Sequence, residues 1–201
     1  MNRVRLGLGA WYFVALWIAL MPSKLSTQVS GSPSSQDIDA LRAQVKRLQQ
    51  CWYVAQDELC FWDLVTTASD MRRPENRFKT FHGAFTGKPN PATLKLGFDA
   101  ETLREIEKNL REVPKEGRPL NDLEADGFVI FLGLPFLTGL ADGDAKPIGE
   151  MRAEGRLPLH DDFFVALWPV DGEGYTRETI WTTWIRETGQ WRFLSFGVIR
   201  D

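Results

Sequence analysis

The 201 residues carry 24 Lys and Arg against 27 Asp and Glu, a net charge of -3. No basic stripe or basic–aromatic repeat runs through the chain, so the electrostatic footprint of a nucleic-acid binder is missing. Apolar residues make up 43% of the chain, enough for one core of ordinary size once the first thirty residues are set aside.

Those first residues read as a targeting or anchoring segment. Arg3 and Arg5 precede an apolar run from Leu6 to Met21, and Pro22 and Lys24 end it. The run is long for a signal-peptide core and short for a membrane span. No A-x-A site follows it, although Val29-Ser30-Gly31 has small side chains at the two places a peptidase reads. Two alternatives stay open for residues 1–22: an uncleaved anchor lying in the membrane through residues 4–21, or a cleaved signal peptide. In either case Arg3 and Arg5 hold the amino end inside. The remainder is then expected outside the cytoplasmic membrane, in a periplasmic or cell-surface location if anchored and secreted if cleaved.

Residues 23–35 are rich in Ser, with Gly31 and Pro33, and read as a linker. Residues 36–201 are expected to form a single α+β domain with an amino-terminal helical stalk. Ser34 or Ser35 suits the cap of a long helix, and Asp37 suits the positive end of its dipole. Ile38, Leu41, Val45, Leu48, Trp52, Ala55, Leu59 and Trp62 follow at steps of three and four, one stripe of one helix. Up to Gln50 the other faces are polar, with Arg42, Gln44, Lys46 and Arg47. Beyond Cys51 the helix is apolar all round, which predicts burial. The seam Ile38, Leu41, Val45 and Leu48 is therefore expected either to seat a partner helix or to pack on the chain's own sheet. Two copies of so basic a stalk would repel in parallel, which points to an acidic partner. On an intact helix Cys51 and Cys60 lie roughly 13 Å apart along the axis, beyond the reach of a disulfide. They are read as small buried apolar residues.

Pro74 to His82 fits a short helix. Thr93–Phe98 alternates as a half-buried strand, and Asp99 caps an amphipathic helix with Leu103, Ile106, Leu110 and Val113 on one face. Phe128–Leu134 reads as a central strand, and residues 137–159 take no assignment. Three closing strands follow at Phe163–Val170, Tyr175–Glu187 and Gln190–Arg200, joined by turns at Asp171–Gly174 and Thr188-Gly189. The middle strand carries Trp181 on one face and Trp184 on the other. Neither face is bathed in water: one should pack on a helix, and the other on a partner or a lipid surface.

This order of long helix, short helix, strand, helix and antiparallel meander resembles the nuclear-transport-factor-2-like superfamily, which includes ketosteroid isomerases, polyketide cyclases and many binding domains. Gln190-Trp191-Arg192-Phe193-Leu194 resembles the family's final strand. The resemblance implies a long helix lying across a curved antiparallel sheet and closing a cone. Tyr175 and Trp184 are the residues expected to line a pocket in that cone.

The titratable cluster His160-Asp161-Asp162 stands before a strand, where His160 and Asp162 share a side and are the candidate acid–base pair. A metal site needs about three protein ligands, and none is expected here, nor any cofactor. Gly83–Lys88 fails as a phosphate loop because Pro89 stands where a hydroxyl should hold magnesium. Asp142-Gly143-Asp144 fails as a calcium loop because Lys146 occupies a ligand position. Ser195 sits on a strand with no nucleophile elbow. The leading expectation is a membrane-tethered binding or assembly module without catalytic activity. The alternative is a small-pocket enzyme or ligand carrier of the cone fold.

Overall fold

A computed structural model describes residues 33–83, 90, 92–110, 117–133, 148–158, 163–172 and 175–200. Helix α1, Ser35–Gln49, starts where Ser34 Oγ accepts from the Asp37 N–H at 3.1 Å. Asp37 in its first turn and Lys46 and Arg47 in its last complement the helix dipole. Its stripe of Ile38, Leu41, Val45 and Leu48 is buried in the main core.

The long helix does not run on as the spacing predicts. Gln50–Val54 widens into a π-helical turn, and Gln56 takes a left-handed φ of 51°. Asp57 then caps a new helix, α2 (Glu58–Leu64), its carboxylate accepting from the Cys60 N–H at 3.0 Å. The stripe breaks with it: Ala55 and Leu59 face solvent, Leu59 at 80% exposure. The bend has a packing reason, since it carries Phe61, Trp62 and Leu64 into the core. It also overturns the expectation for the cysteines. With the helix broken, the Cα atoms of Cys51 and Cys60 lie 5.6 Å apart and the two side chains form a disulfide.

Arg72 locks the end of α2. Its guanidinium donates to the carbonyls of Trp62 at 2.5 Å, Val65 at 2.6 Å and Thr66 at 3.1 Å, answering acceptors that a helix end leaves open. A 3-10 turn, Asp70–Arg72, leads into α3, Pro74–Gly83. Trp52 Nε1 donates to the Phe81 carbonyl at 3.1 Å, tying α3 to the bend.

Among the described residues the sheet has five antiparallel strands: β1 (Lys95–Leu96), β2 (Val129–Leu132), β3 (Phe164–Gly172), β4 (Tyr175–Glu187) and β5 (Gln190–Arg200). Strands β3, β4 and β5 form the meander, and β1 and β2 share the far edge of β3. The predicted strand over residues 93–98 is thus reduced to two residues, whereas β4 and β5 keep their predicted bounds. Thr188 and Gly189 both take positive φ, 50° and 81°, the mirror-image turn that suits a two-residue hairpin. At Leu194 a bulge interrupts the β4–β5 register. The Leu194 carbonyl accepts from Ser69 Oγ at 2.5 Å.

One face of the sheet, with Phe164, Ala166, Trp168, Ile180, Trp184 and Phe193, packs under α1 and the bend. The other face was expected to meet a partner or a lipid surface. The chain covers it itself. Helix α4 (Ala100–Leu110), capped by Asp99, brings Leu103 and Ile106. Helix α5 (Leu123–Asp126) brings Leu123, and α6 (Ile148–Ala153) brings Met151. These pack with Val129, Phe131, Phe163, Val165, Leu167 and Trp181. The result is an α+β fold with a helix laid on an antiparallel sheet.

Candidate functional site

The cations of α1 are the first functional question, because they were expected to face an acidic partner. The chain supplies most of the acid itself. The Asp126 side chain is wholly buried, with Arg42 Nε at 2.6 Å, Arg42 Nη2 at 2.9 Å, Lys46 Nζ at 2.8 Å and Asn121 Nδ2 at 2.9 Å. Burial pushes its carboxyl up, but the hydrogen bonds from Arg42, Lys46 and Asn121 outweigh that and leave it below its ordinary value. Arg47 meets Asp63 at 2.7 Å. The seam of α1 is equally spent: Leu41, Val45 and Leu48 have no exposed surface and Ile38 has 7%. Of the two alternatives for that seam, the chain's own sheet is the one that fills it, and no apolar stripe remains there for a partner helix.

An open cleft of about 290 Å³ lies between α1 and the tip of the β4–β5 hairpin. Ala40, Gln44 and Arg47 form one wall at helical spacing. Arg186, Gly189, Gln190 and Trp191 form the other. The walls are fixed to each other. Trp191 Nε1 donates to the Asp37 carbonyl at 3.0 Å, and Arg186 Nη1 meets Asp37 Oδ1 at 2.8 Å. The Arg186 guanidinium stands 5.9 Å from the centre of the Trp191 ring. The hydrogen bond from Ser34 first, and then Arg186, hold the Asp37 carboxyl below its ordinary value. Gln190 Oε1 accepts from Arg192 Nη2 at 2.9 Å. Gln44 Oε1 is occluded from solvent and has no hydrogen-bond partner among the described residues.

The other anticipated site residues fare differently. Trp184 lies wholly inside the core, where its indole N–H donates to Thr182 Oγ1 at 2.8 Å, so it lines no pocket. The Tyr175 backbone opens β4, and nothing is described of its side chain. His160 and Asp162 lie outside the described residues, as do Met1–Met21, residues 84–89 and Asp142–Asp144. Among the described residues no group of three His, Cys, Asp or Glu side chains could hold a metal. Among the same residues no helix is long and apolar enough to cross a membrane. Ser195 is buried on β5, sharing a 2.6 Å hydrogen bond with Thr183 Oγ1 and donating to the Arg156 carbonyl.

Sequence reasoning missed the cleft because its walls are more than 130 positions apart in the chain. Gln44 read as part of a solvated back, and Trp191 as part of the final strand. The one local signal for the bend was Asp57, a preferred cap residue three positions before Cys60. Comparison with known protein families, curated proteins and solved structures returns no match.

Proposed function

We propose that the chain is a binding or assembly module working outside the cytoplasmic membrane, held there by Met1–Met21. In this reading the antiparallel sheet and α1 form a cone of the nuclear-transport-factor-2-like kind, used for recognition rather than chemistry. The observation that carries the reading is the filled space between α1 and the sheet. Trp52, Phe61, Trp184 and Phe193 occupy it, with ring centres 4.9–5.9 Å apart where they meet. A pocket enzyme of this architecture needs that space open. The Cys51–Cys60 disulfide supports the compartment independently, since such bonds persist in oxidising surroundings and are rare in the cytosol.

Alkaline carbonate extraction of cells expressing the full chain, with maleimide labelling before and after reduction, tests both parts. The expected result is retention in the membrane pellet, with thiols that react only after reduction. Release into the supernatant ends the anchor and leaves a secreted module. Thiols that label without reductant end the extracytoplasmic placement.

A further inference from the structure

We propose that the outer half of β5, Phe196–Arg200, is a docking edge for the same strand of a second copy of this chain, continuing the sheet antiparallel across a two-fold axis through Val198. This names what the assembly module assembles with, namely itself, and rests on that reading. An edge strand offers a row of unpaired backbone N–H and C=O groups to one side, and another extended chain is what pairs such a row in full. The chain caps two other stretches of edge itself. On β2 the Ile130 carbonyl accepts from the Leu120 N–H at 2.8 Å, and Asn121 Oδ1 accepts from the Ile130 N–H at 2.7 Å. On the first half of β5 the Phe193 carbonyl accepts from the Thr66 N–H at 2.8 Å, and the Leu194 carbonyl from Ser69 Oγ. Past Ser195 this cover stops. Among the described residues only β4 pairs with Phe196–Arg200. Burial falls at the same point: Phe193, Leu194 and Ser195 are buried, whereas Phe196, Gly197, Val198 and Ile199 are partly exposed. Solvent edges are usually blunted by Lys, Pro or a bulge, and Phe196-Gly197-Val198-Ile199 has none of these. Its apolar residues pack toward both sides, Phe196 and Val198 on the α1 side and Ile199 on the other, the pattern of an interior strand.

The occupant follows from charge and shape. The repulsion that a basic α1 would impose on two copies is removed, since Asp126 neutralises Arg42 and Lys46 within each chain. A two-fold axis perpendicular to the sheet keeps like faces together and sets Val198 opposite Val198 of the second copy. Ile199 of each copy then lies opposite Gly197 of the other, where the Trp181 ring covers the place a Cβ would take. Arg200 is the one charged residue of the stretch. Antiparallel pairing leaves the two Arg200 positions roughly 13 Å apart along the strands, beyond a Debye length of about 8 Å; parallel pairing would set them side by side. Five residues a side bury well under the roughly 1,200 Å² of a standard interface. The dimer is therefore weak in solution, with Kd on the order of 0.1 mM, and tethering both copies to one membrane raises its occupancy.

The test uses the purified full chain in detergent, followed by sedimentation velocity from about tenfold below to about tenfold above that Kd. The wild type should pass from monomer to dimer over this range. Val198→Lys sets two ammonium groups opposite each other at the axis and should weaken the dimer at least about tenfold. Val198→Glu should do the same alone, and an equal mixture of the two variants should recover the dimer, which a mere loss of folding would not do. Cross-linking is a second measurement. Cys51 and Cys60 are bonded to each other, so Val198→Cys adds the one free thiol, about 5 Å from its copy across the axis. Under mild oxidant it should give a disulfide-linked dimer on non-reducing gels, while Ala40→Cys, exposed on α1, should not. The proposal is overturned if the chain stays monomeric throughout, if the Lys and Glu variants dimerise as the wild type does, or if their mixture recovers nothing. It is equally overturned if Val198→Cys cross-links no better than Ala40→Cys, or if in membranes it cross-links only to a different protein, which marks a foreign strand on this edge. The assay on purified chain is independent of cellular location, so its failure and the failure of the membrane reading are separable.

Discussion

Removing the disulfide should weaken the fold without straightening the bend. The perturbation is Cys51→Ala with Cys60→Ala. The bond closes a loop with a sequence separation of 9. In the chain-entropy account a loop of that size contributes about 2.5–3 kcal/mol through the unfolded state. The rival outcome is that the helix, once released, runs straight as its sequence spacing suggests. Straightening would turn Leu59 inward and release Gln56 from φ 51°, a gain of about 3 kcal/mol for burial and backbone relief together. It would also pull Phe61 and Leu64, which lie off that stripe, out of the core, at about 2–3 kcal/mol each. The loss of about 4–6 kcal/mol exceeds the gain, so the core and not the bond sets the bend. Thermal unfolding of the full chain in detergent should show a melting temperature lower by about 5–12 °C, taking about 2–4 °C per kcal/mol for a chain of this size. Far-UV circular dichroism should stay as in the wild type, and amides of Phe61–Leu64 should keep their hydrogen-exchange protection. A rise in helical signal at unchanged stability would falsify the reasoning, because the bond would then be what bends the chain.

Stability should also fall with acid. The folded Asp126 carboxyl titrates below its unfolded value, so its contribution is complete above about pH 4 and disappears as pH drops through the folded value; denaturation midpoints measured from pH 6 to pH 2 should decline less steeply in Asp126→Asn. Thr188 is a β-branched residue at φ 50° beside Gly189, so Thr188→Asn should stabilise the hairpin by about 0.5–1 kcal/mol, and an unchanged urea midpoint would count against a strained turn. A Cβ at position 197 would lie 2.3 Å from the Trp181 ring, so Gly197→Ala should cost about 1–3 kcal/mol and alter near-UV dichroism from that indole. Gln44→Leu should raise stability by about 1 kcal/mol, the scale of one unsatisfied buried acceptor; a loss of stability would show that its amide oxygen is already paired.

The features that depend on neighbours a few positions away were legible in the sequence. Strands β4 and β5 and the turn at Thr188-Gly189 follow from alternation and turn residues. The Asp99 cap and the Leu103–Ile106 face follow from helical spacing, and the start of α1 from Ser34 and Asp37. An α+β architecture follows from that order of elements. Spacing could not settle where the stripe from Ile38 to Trp62 stops being one helix. Heptad spacing records only which residues are apolar, whereas the break depends on where Phe61 finds aromatic neighbours, Phe81 and Phe193 among them. The disulfide follows from that break, as does the exposure of Leu59. The partner of Arg42 and Lys46 was equally invisible, because Asp126 sits 84 positions from Arg42. The cleft likewise brings α1 against a hairpin from the other end of the chain. Local chemistry decides which elements form. Long-range contacts decide which of their faces are left over to bind anything, because a surface residue is defined by what the rest of the chain fails to cover.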